Sequence, residues 1–388
     1  MNRLKRLSNP QISISASSVL WVAAIALALV LLWQLRSLIL LLMVAVVLAA
    51  TIAPVVDWAE QWRIPRWVTV VLVYLGLAAG IIGFSVLIGP AVFSQIEKLI
   101  RQFPLFARDL IDLVENWLLT LNTTRPELVS QIEQTLNLPS LTTWGARTSQ
   151  QLLLKSFSFT TGLVGALFSL VLALFISGYM LSDNRTLINS LIRLVPPPWD
   201  ERLAAQVTPI SYRMGSYIRG RVLVSAVLGV IITTGLGLLG LSEFALGLGA
   251  IAAVTNLIPF LGPILGAVPA LVVAISQGWW VLLWVLLLFV VIQNLETYIL
   301  DPLLVGSSVG VHPLYQLLAV LGGTQVLGII GALIVPPWVA GAAVLLENLY
   351  LEPKARREQQ VIFNGGRVTD CNGHQSPGVV TLALTKAN

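Results

Sequence analysis

The stretch Thr255-Asn-Leu-Ile-Pro-Phe-Leu-Gly-Pro-Ile-Leu-Gly-Ala-Val-Pro269 places Pro259, Pro263 and Pro269 inside an apolar run, 245–276, long enough to enter or cross a bilayer. A proline lacks an N–H and its ring displaces the preceding turn, so each one removes a helical hydrogen bond and frees a carbonyl. Hydrocarbon offers such a carbonyl no partner. Irregular backbone therefore persists at membrane depth only where protein buries it or a water-filled cavity runs beside it. The run is expected to be a broken or re-entrant span. Asn256, Pro259, Gly262 and Pro263, with the freed carbonyls, are the first candidates for a solute pathway. A kinked helix packed around Gly262 and Gly266 is the plainer alternative, and three prolines together with an asparagine favour the pathway.

The rest of the chain supplies the setting. Of 388 residues, 56% are hydrophobic and only 11% charged, against roughly a quarter charged in soluble domains. Disorder, collagen and coiled coil are excluded with the soluble fold. Eight apolar runs are long enough to be helical spans: 19–33, 38–56, 68–90, 159–181, 222–241, 245–276, 279–300 and 315–346. They predict an all-α, polytopic membrane protein with about eight transmembrane helices. The first run could pass for a secretory signal, but apolar sequence resumes at Leu38 without a convincing small-residue cleavage site, so a retained hairpin is expected.

A net charge of +5 could suggest nucleic acid. The charges instead lie at the ends of apolar runs, as topology signals do. With both termini inside, 16 of the 23 basic residues fall on inner segments, and the short outer loops carry only Arg36. The predicted division is a basic cytoplasmic N-terminus (1–18), three spans (19–90), an extramembrane amphipathic region (91–157), a five-span core (158–350) and a polar cytoplasmic tail (351–388). In the amphipathic region Leu99, Phe103, Phe106, Leu110, Leu113 and Trp117 share one helix face, with a second patch at Leu128, Ile132 and Leu136. Packing of these helices on one another or on the membrane surface is expected, with a gate, collar or subunit contact as the sharper reading.

Catalytic constellations are missing from the sequence. There is no Gly-rich phosphate loop ending in Lys-Ser/Thr and no His-Glu-x-x-His. The lone cysteine, Cys371, excludes an internal disulfide, and Cys371 with His374 supplies two metal ligands where a closed zinc site takes four, so no metal and no cofactor is expected. Gln293-Asn-Leu-Glu296 closes the seventh apolar run and leads through Asp301-Pro302 to Gly306 and His312-Pro313. A carboxylate near the membrane interior is a functional candidate by default. Gln293 and Glu296 therefore join the pathway, and Glu296, Asp301 and His312 are the proton or cation candidates, with a headgroup-level glutamate and a merely hydrogen-bonding histidine as the plainer alternatives.

At these residues the sequence resembles the autoinducer-2 exporter family of bacterial permease-like membrane proteins. The resemblance runs from the first apolar run through the eighth. It rests on Tyr217-Ile-Arg219-Gly220, Asn256-Leu-Ile-Pro259-Phe-Leu-Gly262-Pro263, Gln293-Asn-Leu-Glu296 with Pro302 and Gly306, Val311-His-Pro313-Leu, and Gly322-Gly323 with Gly328-Ile-Ile-Gly331. The family usually has Gln after the Arg-Gly pair, where this chain has Arg221. An added positive charge there is expected to shift preference towards anions. The resemblance implies export of a small polar signalling molecule or sodium(lithium)/proton antiport, in the bacterial inner membrane. The leading expectation is a secondary transporter of a small polar solute. A monovalent cation/proton antiporter through Glu296 is second, a non-transporting scaffold third and an enzyme last. The expected partners are the lipid bilayer, the solute or cation and a second copy of the chain, with no nucleic acid.

Overall fold

The computed structural model describes residues 16–122, 165, 168–305 and 312–356. Within them all regular structure is helical and no strand occurs. The elements are α1 (Ala16–Gln34), α2 (Arg36–Glu60), α3 (Arg66–Asn122), α4 (Phe168–Ser182), α5 (Asn184–Ile192), α6 (Trp199–Leu236), α7 (Ser242–Thr255), α8 (Leu261–Ser276), α9 (Trp279–Leu295) and α10 (Pro313–Leu346). Wide π-helical turns extend α6 over Gly237–Leu241, α9 over Glu296–Val305 and α10 over Glu347–Leu351.

Five helical stretches among the described residues are long and apolar enough to cross a membrane: Arg36–Glu60, Arg66–Gln102, Trp199–Thr255, Trp279–Val305 and Pro313–Arg356. Two of these reverse direction internally. Gly240, at φ 91°, turns α6 back into α7, so that Gly229 meets Ala253 and Gly249 meets Thr233. Gly328, at φ 67°, folds α10 into two arms whose Gly323 and Gly331 touch backbone to backbone. Eight residues along an unbroken helix would stand about 12 Å apart. The eighth apolar run is thus a helical hairpin, which its composition does not reveal.

The proline-rich run is broken as expected. It forms α7 and α8, of 14 and 16 residues, joined by a tight turn over 256–260 in which Phe260 takes φ 64°. Gly262 and Gly266 let the two helices close: a Cβ on Gly262 would strike the backbone of Thr255 and Asn256, and one on Gly266 would crowd Ala252. Pro263 sits in the first turn of α8, where its missing N–H costs no helical bond. The similar spacing Gly76–Gly80 meets nothing, so small residues mark a contact only at the later pair.

The main apolar core lies between α6, α7, α8 and α9, around Val224, Leu228, Leu236, Leu248, Val273 and Val285. The far end of α3 joins it. Leu99 and Phe106, from the predicted amphipathic stripe, are buried there, with Phe106 edge-on to Phe244 at 6.0 Å. The Gly247 N–H donates to Gln95 Oε1 at 2.7 Å, and Lys98 pairs with Glu243. This part of the stripe packs on α7, and Leu128, Ile132 and Leu136 lie outside the described residues.

Candidate functional site

The site forms where α6, the α7–α8 turn and the end of α9 converge. Gly220 makes that possible, because any Cβ there would overlap the Leu304 carbonyl and Val305 Cα. The next side chain, Arg221, then reaches across: its Nη1 lies 2.9 Å from Glu296 Oε1 and 3.4 Å from Asp301 Oδ1. Asn256 caps the end of α7, its N–H donating to the Ala252 carbonyl, and its Nδ2 donates to the same Glu296 Oε1 at 3.3 Å. Arg221, Asn256 and Glu296 are 3%, 3% and 4% exposed.

Burying an ion pair this thoroughly is a poor way to gain stability, since desolvating both charges roughly cancels their attraction. The hydrogen bonding is also incomplete. Arg221 Nε and Nη2, Ser225 Oγ and Asn256 Oδ1 are buried and find no hydrogen-bond partner among the described residues. Such groups call for a function or for a guest that completes them. Glu296 also opens the π-helical stretch that ends α9, and π-helical turns concentrate at functional sites.

Beside the cluster lies a cavity of about 300 Å³, with Asn256, Gly262, Pro263, Gln293 and Glu296 in its wall. The remaining lining is apolar and includes Leu228, Ile232, Leu271, Phe289 and Ile292. The structure thus brings five of the six pathway candidates to one cavity. Pro259 is buried in the turn and does not line it, and Gln293 is itself exposed. Of the cation candidates, Asp301 joins the cluster. His312 stands apart, exposed, where its Nδ1 accepts the Leu314 N–H at 3.2 Å and caps α10, with Pro313 as the first helical residue.

The remaining motif residues fasten helices. Arg219 Nη1 donates to the Thr51 carbonyl at 2.8 Å, holding α6 on α2, and the buried Tyr217 hydroxyl accepts from Gln316 at 3.2 Å. Pro302 is exposed within the π-helical stretch, and Gly306, Val311, Cys371 and His374 lie outside the described residues.

Sequence reasoning placed Arg221 among inner-side charges and expected it to draw anions. In the structure it is buried and already faced by two carboxylates. Ser225 escaped notice, although its place four residues after an arginine on one helix face was a usable signal.

A family model described as AI-2E family transporter matches residues 22–351. YrrI of Bacillus subtilis (strain 168) is 28% identical over 313 residues, covering 79% of this chain and 84% of YrrI. YueF of the same organism is 27% identical over 335 residues, covering 83% of this chain and 87% of YueF. MT0215 of Mycobacterium tuberculosis (strain CDC 1551 / Oshkosh) is 27% identical over 303 residues, covering 77% and 79%. All three are named for transport, and the apolar helices here suit a multi-pass membrane protein. With most of its length matched by the family model, the chain belongs to the AI-2E transporter family.

Proposed function

We propose that the protein is a secondary permease that moves a small polar solute along a path past Asn256 and Glu296. One observation carries this reading: the chain breaks at 256–260, and beside that break a buried, incompletely bonded polar cluster adjoins a cavity. Broken helices presenting unpaired groups near the bilayer midplane are the usual construction of such sites, and access alternates by rocking around them. On this reading α7 and α8 form a re-entrant pair, both termini lie in the cytoplasm of a bacterial inner membrane, and the 91–157 region stands on the outer side. The 158–350 segment is the transport core between the first three spans and the polar tail, and the chain self-associates.

Sodium(lithium)/proton exchange through Glu296 has weaker support. Arg221 already supplies, covalently, the positive charge that a transported cation would bring to Glu296 Oε1.

Reconstituted proteoliposomes loaded with a metabolite extract test the proposal. The wild-type protein releases a defined solute down its gradient, and Asn256→Ala or Glu296→Gln lowers that release at least tenfold with insertion unchanged. Undiminished release by both variants removes these residues from the mechanism. Sodium-dependent proton movement by the wild-type protein would restore the exchange reading.

A further inference from the structure

We infer that the groove between the start of α6 and the end of α10 binds the headgroup of an anionic phospholipid. The groove is separate from the Asn256–Glu296 cluster, and the inference takes from the reading above only the cytoplasmic placement of the C-terminal segment.

The walls set the charge. The groove measures about 710 Å³ and is lined by Arg202 and Gln206 of α6 and, beyond the end of α10, by Asn348, Tyr350 and Lys354. Two of these side chains are cationic, and no carboxylate among the described residues lines the groove. The acids nearest in sequence are used elsewhere. Asp200 and Glu201 occupy the first turn of α6, where they complement its dipole, while Glu347 pairs with Arg213 at 2.8 Å and Glu352 with Arg356 at 3.3 Å. Asn348 Nδ2 donates to Gln206 Oε1 at 2.6 Å, so Gln206 keeps its Nε2 as a donor in the same wall. Cations, an amide donor and a phenol together suit an anion with several acceptor oxygens, and a phosphodiester with no cation of its own is such a group.

The surroundings favour a lipid over a free phosphate. The last apolar run ends at Leu346, so residues 348–354 stand where hydrocarbon gives way to headgroups. Aromatic side chains mark the same boundary. Tyr350 is 60% exposed, and Trp199, 50% exposed, carries the Arg202 guanidinium 5.5 Å above its ring. Leu349 adds apolar surface to the wall, and the next leucine, Leu351, is exposed. A basic pocket between helices at the cytoplasmic boundary is the usual receiver of anionic headgroups. A soluble phosphate would use the cations alone, whereas a lipid also lays its acyl chains along the apolar flank.

Fluorescence anisotropy of the purified full-length protein in uncharged detergent micelles tests this. The probe is phosphatidylglycerol with a fluorescent tail, and phosphatidylcholine with the same tail is its net-neutral match. Each basic residue at an anionic lipid surface contributes about fivefold, so two predict that phosphatidylglycerol binds at least about tenfold more tightly. Arg202→Ala with Lys354→Ala should bring it down to phosphatidylcholine. Arg185→Ala with Arg193→Ala, at exposed basic positions outside the groove, should leave the preference intact. Should the first pair not fold, Ala205→Trp, which fills the groove and keeps both cations, should abolish the preference by itself. Glycerol 3-phosphate, an anionic head without acyl chains, should fail to displace the probe at equal concentration. Its doing so would assign the groove to a soluble anion and overturn the inference, as would a preference that survives Arg202→Ala with Lys354→Ala or Ala205→Trp, or one lost equally in the control pair. Binding is read without a solute gradient, so its failure leaves the permease reading standing, and loss of solute release leaves this inference standing.

Discussion

Of the breaks that interrupt the apolar helices of the second half, those at 256–260 and at Gly328 are built for different ends. At 256–260 the chain turns around Asn256, and Arg221, Glu296 and Asp301 gather there. At Gly328 it turns around glycines, and what meets is the backbone of Gly323 and Gly331. Both need an unusual positive φ, at Phe260 in the first and at Gly328 in the second. The contrast teaches that broken backbone in an apolar helix is not by itself a site. At the first break incompletely bonded polar groups are buried, whereas the second closes on its own small residues.

The largest effect should come from unpairing the first break. Arg221→Ala leaves Glu296 a buried charge stripped of its closest partner and should cost about 3–5 kcal/mol, read as denaturant unfolding of the purified protein. Adding Glu296→Gln should recover much of that loss, and a purely additive double variant would mean the pair is not coupled. Next, Gly331→Ala should cost about 1–3 kcal/mol by forcing the arms of α10 apart, while solute release per folded molecule stays at the wild-type level. A selective loss of release there would erase the distinction between the two breaks. Gly328→Ala should cost about 1–3 kcal/mol, because its φ suits glycine, and Phe260→Gly should gain up to about 1 kcal/mol in thermal unfolding for the same reason. Gln293→Ala, at an exposed position, should move stability by no more than about 0.5 kcal/mol and reveal itself only in solute binding.

Much of this was legible in the sequence, and what was not has a physical reason. Pro259 announced the first break, because a missing N–H is a local property of the residue, whereas Pro263 falls in the first turn of α8 and Pro269 lies within that helix without ending it. Asn256 and Glu296 were conspicuous for the same kind of reason, as polar groups where hydrocarbon gives them no partner. The Gly328 hairpin was hidden, since glycines are common throughout the chain, with 30 in all, and only the fold shows which one takes a positive φ. Arg221 was misjudged because its meaning is non-local. On the sequence it ends a basic stretch, and only the approach of Gly220 to Leu304 and Val305 brings the carboxylates of α9 within reach. The amphipathic stripe of α3 was visible as a stripe, but its burial against Phe244 depends on α7 folding back at Gly240.

The claim on which all of this turns is that water and solute reach the cavity beside the 256–260 turn. In a Cys371→Ser background, a cysteine placed at Ala267, in the cavity wall, should react with a membrane-impermeant charged thiol reagent applied to both faces of proteoliposomes. It should also be protected by the transported solute. If Ala267→Cys stays unreacted while a control cysteine at the exposed Gln61 is fully labelled, the cavity is dry and sealed, and the proposed route does not exist.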